Sequence, residues 1–263
     1  PCDGGWICHP FNNNVVLNHV EVDANGNPIG DPNTILDLDP SDENAPGMQM
    51  VEKLSYSPDG NAVVMTRTEL TFNKPEDKSF PTWTVEKVTV DTGDVETLVA
   101  PRQDPWVSAG YAQNGVVYYS MSDDEAYESM EETRNNHNRN INLWYIPAGG
   151  GEADSVQLTF SSETNEFFLS VAPDNSKVLV CDPFNSNYYY VNTADGSVLQ
   201  INDLAKGFYP IGFSPDGTML YGTYNAENPM ESHCGGKLVR LGVTSINMND
   251  DEEISAGIAT AMR

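Results

Sequence analysis

The residues best suited to nucleophilic or zinc chemistry in this sequence are its histidines and cysteines. No His-x-His or His-Glu-x-x-His spacing connects the four histidines, which are His9, His19, His137 and His233. Cys8 and His9 are adjacent, but neighbouring side chains of a strand point to opposite faces, which argues against a nucleophilic pair. A Gly-x-Ser-x-Gly nucleophile motif does not occur. The sequence therefore points to no catalytic residue, and it favours a binding or structural role over an enzyme.

The cysteine count is compatible with an oxidising compartment. There is an even number of cysteines, namely Cys2, Cys8, Cys181 and Cys234. Cys2 and Cys8 lie close together in sequence, and we predict a disulfide bond between them. Cys181 follows an apolar run that begins at residue 178, so it is expected to be a buried free thiol.

One loop alternates oxygen-bearing side chains in the way a calcium loop does, since Ca²⁺ is bound by about six to eight oxygen ligands. The candidate ligands are Asp23, Asn25, Asn27 and Asp31. Pro28 stands where an EF-hand loop requires glycine, and no glutamate closes the loop. The alternative is an ordinary hairpin turn rich in Asp and Asn. Ca²⁺ is the cofactor that the sequence suggests.

The charge balance restricts the possible partners. Thirteen Lys and Arg residues against 39 Asp and Glu residues give a formal net charge of −26, which repels nucleic acid and anionic lipid. No run approaches the roughly 18 consecutive apolar residues of a membrane helix. The sequence starts at Pro1 rather than Met, as expected of a processed chain or a fragment, and it contains no Asn-x-Ser/Thr acceptor. These features predict a secreted or periplasmic protein of a bacterium or an archaeon.

A turn motif recurs along the chain between runs of alternating apolar residues. Two copies read Ser-Pro-Asp-Gly, at residues 57–60 and 214–217, a third copy lies at residues 172–175, and a fourth, degraded copy lies at residues 112–115. Pro presets φ at the first central position, Asp accepts a backbone hydrogen bond, and Gly or Asn adopts the left-handed conformation that closes the turn. Each copy is therefore predicted to form a β-hairpin.

A second hairpin with a short turn follows each of three copies, at residues 84–98, 143–159 and 188–201. Two hairpins make a four-stranded antiparallel sheet, and the turn motif recurs at intervals of 55, 60 and 42 residues. Such periods are typical of propeller blades. We predict one all-β domain over residues 1–263, a five- or six-bladed β-propeller. Its blade-like units are residues 1–45 with 244–263, 46–101, 102–160, 161–203 and 204–243.

The alternation of the Ser-Pro-Asp-Gly hairpin with Leu-Trp-x-Ile-x-x-Gly-Gly-Gly-Glu and Gln-Leu-Thr resembles the WD40-like propeller repeat of the TolB family. The resemblance runs from about Leu54 to Leu241. It implies a β-propeller, usually six-bladed in TolB, whose relatives are mostly protein-binding modules or non-catalytic domains attached to enzymes. The sequence departs from the pattern at residues 113–115 and 174–175, and it shows no separate N-terminal α/β domain of the TolB type.

The residues just before each innermost strand ring the central opening of a propeller. The repeat alignment places Glu52, Val107, Phe167 and Tyr209 at these positions, with Trp106 beside Val107. Aromatic anchors in a concave mouth are typical of binding sites, so Glu52, Trp106, Phe167 and Tyr209 are the candidate contacts of a protein or peptide partner. The alternative is that Phe167 and Tyr209 pack between blades.

These observations predict an exported, acidic, TolB-like propeller that serves as a protein-binding or structural scaffold. Two alternatives stay open at this stage. One is a metal-dependent propeller lyase or hydrolase, or an accessory domain of a redox enzyme, with the metal in the central channel. The other is a subunit of a larger extracellular assembly that Ca²⁺ bridges. Fold resemblance alone does not choose between them.

Overall fold

The regular structure of the chain consists of antiparallel strands and one short 3₁₀ helix at Glu152–Asp154, as far as the described residues extend. The computed structural model describes residues 15–38, 48–70, 82–103, 107–122, 140–162, 164–182, 184–185, 187–201, 208–224 and 237–242.

The described part of the chain begins with a hairpin around the loop that contains Asp23. Strand β1 (Val15–Val22) pairs with β2 (Pro28–Leu38) around a turn in which Gly26 adopts a φ of 81°. The proposed pairing of this unit with residues 244–263 lies outside the described residues.

Four further sheets follow in chain order, and each begins with the strand that precedes a copy of the turn motif. The first comprises β3 (Met48–Tyr56), β4 (Ala62–Leu70), β5 (Thr82–Thr89) and β6 (Val95–Arg102). The second comprises β7 (Ser108–Tyr111), β8 (Val117–Ser122), β9 (Ile141–Ile146) and β10 (Val156–Gln157). The third comprises β11 (Phe167–Val171), β12 (Lys177–Asp182), β13 (Asn187–Asn192) and β14 (Val198–Ile201). Three described strands make the last sheet, namely β15 (Phe208–Phe213), β16 (Met219–Tyr224) and β17 (Lys237–Gly242).

All four copies of the turn motif form the predicted hairpin turns. In the first, the amide of Gly60 donates to the carbonyl of Ser57 over 2.9 Å, and Gly60 adopts a φ of 75°. Gly115 and Gly217 occupy the same place in their turns, with φ values of 82° and 69°. Asn175 replaces glycine in the remaining copy and adopts a φ of 59°, which Asn tolerates better than most residues. The departure from the sequence pattern therefore leaves the turn intact.

The core lies between consecutive sheets, because successive residues of a strand face opposite sides of its sheet. On β12, Val178 and Val180 pack against the second sheet, whereas Leu179 and Cys181 pack toward the last sheet. The same alternation on β4 directs Val63 and Met65 toward the first hairpin and Val64 toward the second sheet. Both faces of these sheets are therefore buried, as in the blades of a propeller.

The innermost strands of the four sheets lie side by side. Strand β7 contacts both β3 and β11, and β11 in turn contacts β15. Lys53 and Phe168, which follow the predicted Glu52 and Phe167 positions, are thereby brought to one shared channel.

Candidate binding channel

A cavity of about 360 Å³ lies between the four innermost strands and extends to the turn motifs at their ends. It is about the size of a small-ligand pocket. Its lining combines aromatic and aliphatic side chains, serine hydroxyls and one lysine: Lys53, Leu54, Ser55, Gly110, Tyr111, Ala112, Gln113, Phe168, Leu169, Ser170, Val171, Pro173, Phe213, Ser214 and Pro215.

Lys53 reaches across this channel from β3 to β11. Its ammonium Nζ donates to the carbonyl oxygens of Phe168, at 3.3 Å, and of Leu169, at 2.5 Å. The same atom lies 4.4 Å from the centroid of the Phe168 ring, which adds a cation–π contact. Burial lowers the pKa of Lys53 to about 7, because desolvation disfavours the charged form.

A β-bulge in β11 frees one of the two backbone oxygens that Lys53 uses, that of Leu169. Phe168 pairs with Val180 and Ser170 pairs with Leu179, so Leu169 has no opposite residue on β12. A bulge re-aims the backbone and leaves its groups available for other partners. Two of the other inner strands also contain register shifts. The shift in β3 lies between Val51 and Lys53, and the shift in β15 lies between Pro210 and Gly212.

Gly110 on β7 leaves room for the Phe168 ring, over which Lys53 reaches from β3 to β11. A Cβ atom at this position would lie 2.8 Å from a ring carbon of Phe168, so only glycine allows the ring to approach this closely. The hydroxyl of Ser108 donates to the carbonyl oxygen of Phe168 over 3.1 Å. The backbone amide of Tyr111 donates to the hydroxyl of Ser55 over 3.0 Å. The three inner strands β3, β7 and β11 are thus cross-linked around the channel, and the site is largely preformed.

The turn motifs form a rim at one end of the channel, and hydrogen bonds hold them in place. In the last copy, the carboxylate of Asp216 accepts hydrogen bonds from the Ser214 hydroxyl at 2.6 Å, the Thr218 amide at 3.0 Å and the Thr218 hydroxyl at 2.8 Å. These bonds, that from Ser214 first, lower the pKa of Asp216 to about 2. Between turns, the amide of Asn114 donates to the side-chain oxygen of Asn175 over 3.2 Å.

Two of the predicted binding residues, Phe167 and Tyr209, lie next to this channel rather than in its lining. Glu52 lies within β3, four residues after the strand begins, and Phe167 and Tyr209 are the first residue of β11 and the second of β15. Phe167 and Tyr209 are half-buried and pack against the core between the last two sheets, where the rings of Tyr209 and Tyr188 meet edge to face at 5.9 Å. Trp106 lies outside the described residues. The binding role of these residues stays a prediction.

Sequence reasoning overlooked Lys53, although a signal was present. Lys53 stands five residues before Pro58, and the equivalent positions of the other repeats hold Ser108, Phe168 and Pro210. A charged residue at a position that holds uncharged residues in the other repeats indicates a role specific to that residue.

The candidate calcium loop folds as a compact turn. The Asp23 carboxylate accepts the amides of Asn25 and Asn27, at 2.8 and 2.9 Å, and the Asn27 side-chain amide at 3.0 Å. These hydrogen bonds, those of Asn27 first, lower the pKa of Asp23. Asp31 lies in β2. No group of three or more His, Cys, Asp or Glu side chains suited to a metal occurs in the part of the chain that the structure describes. Calcium binding by this loop stays a prediction.

The structure tests one of the two cysteine predictions. Cys181 is a buried free thiol, as predicted, and burial raises its pKa to about 12. Cys2, Cys8 and Cys234 lie outside the described residues, so the disulfide bond between Cys2 and Cys8 stays a prediction.

Four-stranded antiparallel sheets, stacked face to face around a channel formed by their first strands, define a β-propeller. Comparison with solved structures agrees: the chain has the fold of TolB-like β-propellers. TolB from Acinetobacter baumannii superposes with a TM-score of 0.54 at 11% identity, over 85% of this chain and 46% of that chain. A structure of prolyl endopeptidases has a TM-score of 0.50 at 11% identity, over 83% of this chain and 30% of that chain. A putative TolB from Agrobacterium tumefaciens has a TM-score of 0.48 at 12% identity, over 81% of this chain and 62% of that chain.

This chain therefore spans less than two thirds of the length of each of these structures. At 11–12% sequence identity, the similarity to these structures concerns the fold alone. Neither a protein-family model nor a curated protein matches the sequence. The described residues contain no helix with the length and hydropathy of a membrane span.

Proposed function

We propose that this chain is an exported propeller that binds a peptide segment of a protein partner in its central channel, entered from the side of the turn motifs. The observation that carries this proposal is the 360 Å³ cavity between the inner strands. A cavity of this size accommodates a few residues of an extended peptide rather than a folded domain.

The lining suits a peptide. Phe213 offers aromatic surface, and Leu54 is 49% exposed although it is a large apolar residue. Ser55 and Ser170 add hydroxyls that can hydrogen-bond to peptide groups. Apolar surface with a few placed polar groups is the usual composition of a binding pocket.

The preformed walls support tight binding. The contacts of Lys53, Ser108 and Ser55 fix the inner strands relative to one another before any ligand enters. Little conformational entropy is then lost by the protein on association, which favours affinity. The predicted contacts Glu52, Trp106, Phe167 and Tyr209 are proposed to extend the site. Export is proposed from the even number of cysteines, and a bacterial or archaeal source from the lack of Asn-x-Ser/Thr acceptors in the sequence.

The test uses peptides selected from a random library displayed on phage, with affinity measured by calorimetry. Leu54→Trp fills the channel from an exposed position, and Leu199→Trp is the matched control, since Leu199 is 55% exposed and lies on β14, away from the channel lining. We expect Leu54→Trp to weaken binding by about tenfold or more, and Leu199→Trp to leave it unchanged. Equal affinity of both variants and the original protein would overturn the proposal.

A further inference from the structure

We infer that the channel binds its ligand through a carboxylate group and that the Lys53 ammonium is the group that receives it. This inference rests on the proposed function, because it concerns the same channel. It names the chemical class of the ligand group at the inner end of the site.

The charge of the channel lining differs in sign from that of the whole chain. The chain carries 39 acidic and 13 basic residues. Among the described residues that line the channel, Lys53 is the one charged side chain, and no carboxylate is present. A ligand inside the channel therefore meets a positive charge at close range, whereas the chain as a whole is strongly negative.

The ammonium is held in place with donor capacity to spare. An ammonium has three N–H donors, and the carbonyls of Phe168 and Leu169 accept two of them. Both acceptors are neutral, so they orient the Nζ atom without cancelling its charge. A carboxylate that takes the third donor would form a charge-assisted hydrogen bond, which is stronger than one between neutral groups.

The surroundings of Lys53 specify an apolar group next to the carboxylate. The Phe168 ring lies under the ammonium, and Leu54, Val171 and Phe213 line the rest of the cavity. This combination fits the carboxylate of a peptide that ends in an aromatic or aliphatic residue. A free small apolar acid offers the same chemistry.

Protonation of Lys53 provides an independent signature. Burial lowers its pKa to about 7, and a bound carboxylate would raise it again. Of the other titratable groups around it, Cys181 has a pKa raised to about 12 and Tyr111 has a raised pKa, both by burial. Asp182 lies beyond Cys181, and Lys177 lies over the Phe213 ring at 5.9 Å. Carboxylate affinity should therefore fall as the pH rises from 7 to 9, because the ammonium loses its proton.

The experiment compares N-acetylphenylalanine with its neutral amide by ligand-observed NMR titration. The variants are Lys53→Met, which removes the charge, and Lys53→Arg, which keeps it. Lys177→Met is the control for loss of a lysine outside the channel lining, and thermal unfolding checks that each variant is folded. An acetylated hexapeptide that ends in phenylalanine, and its C-terminal amide, separate a peptide source from a free acid.

We expect the acid to bind the original protein about tenfold more tightly than the amide. This preference should persist in Lys53→Arg and Lys177→Met, disappear in a folded Lys53→Met, and shrink as the pH rises from 7 to 9. Hexapeptide affinity above that of N-acetylphenylalanine would identify a peptide terminus as the source, and equal affinities would identify a small acid. Equal binding of acid and amide, or a preference that survives in Lys53→Met, would overturn the inference. If both hexapeptides bind equally and Leu54→Trp abolishes that binding, peptide binding stands and the carboxylate inference alone fails.

Discussion

The Nζ atom of Lys53 lies 4.4 Å from the ring centroid of Phe168 and thereby joins the innermost strands of two blades that are not consecutive. Strand β7 lies between them, and Gly110 on that strand leaves room for the ring. The relationship defines one wall of the channel and places a cation in it. The predictions below follow from this geometry and from the turns at the rim.

The stability of the protein should depend on pH through Lys53. Its folded pKa of about 7 lies below the ordinary value of 10.5, so the unfolded chain binds more protons between these values and stability rises with pH. Above pH 9 the raised pKa of Cys181 acts in the opposite direction, so the clear window is pH 7 to 9. Urea unfolding across this window should show the rise in the original protein and a smaller rise in Lys53→Met. If the stability of Lys53→Met and of the original protein changed with pH to the same extent, Lys53 would not be desolvated in the folded protein.

Gly110→Ala should destabilise the fold and disturb the channel. The added Cβ would lie 2.8 Å from a Phe168 ring carbon, and relief of such overpacking costs about 1–3 kcal/mol. Gly151→Ala is the control, because its Cβ would meet the Glu96 side-chain oxygen at an ordinary 3.7 Å. Chemical denaturation should show the loss for Gly110→Ala and little change for Gly151→Ala. Similar stabilities would mean that Phe168 does not pack on Gly110.

The rim turn around Asp216 should contribute to resistance against acid. Its carboxylate has a pKa of about 2 in the folded protein, below the ordinary 3.8. The ionised carboxylate therefore stabilises the fold fully above pH 3.8, and this stabilisation is lost as the pH falls toward 2. In Asp216→Asn the fall of the unfolding midpoint between pH 4 and 2 should be shallower than in the original protein. Asp37→Asn on the exposed part of β2 controls for the loss of one negative charge. Identical acid profiles for all three proteins would contradict the hydrogen-bonded turn.

Cys181 should resist alkylation in the native state. It is 4% exposed, and burial raises its pKa to about 12, so little thiolate is present near neutral pH. Iodoacetamide labelling followed by peptide mass spectrometry should leave Cys181 unmodified in buffer and modify it in urea. The same non-reducing digest tests the predicted Cys2–Cys8 bond, which should appear as a linked peptide. Rapid native labelling of Cys181 would contradict its place in the core.

The hairpin turns could be predicted from sequence because their chemistry is local. Pro58, Asp59 and Gly60 each have a conformational or hydrogen-bonding role that depends on near neighbours. The substitution of Asn175 for glycine is tolerated for the same reason. The blade count and the unit boundaries depend on the whole chain and stay predictions.

The residues of the channel could not be read from strand alternation. The bulge at Leu169 adds a residue to β11 without an opposite partner, which interrupts the period of two. Strand β3 also begins at Met48, so Glu52 lies inside a strand rather than before one. The bulge and the start of β3 both depend on pairing with neighbouring strands. As a result, the channel is lined by residues that come after the predicted positions in the sequence.

The central claim is that a peptide enters the channel between the inner strands. The most direct measurement is photo-crosslinking with a selected peptide that carries benzoylphenylalanine, followed by mass spectrometry of the crosslinked fragments. Crosslinks should fall on Leu54, Leu169 or Phe213, which line the cavity, and excess unlabelled peptide should suppress them. Crosslinks confined to exposed outer residues such as Phe160 and Leu199 would contradict the account.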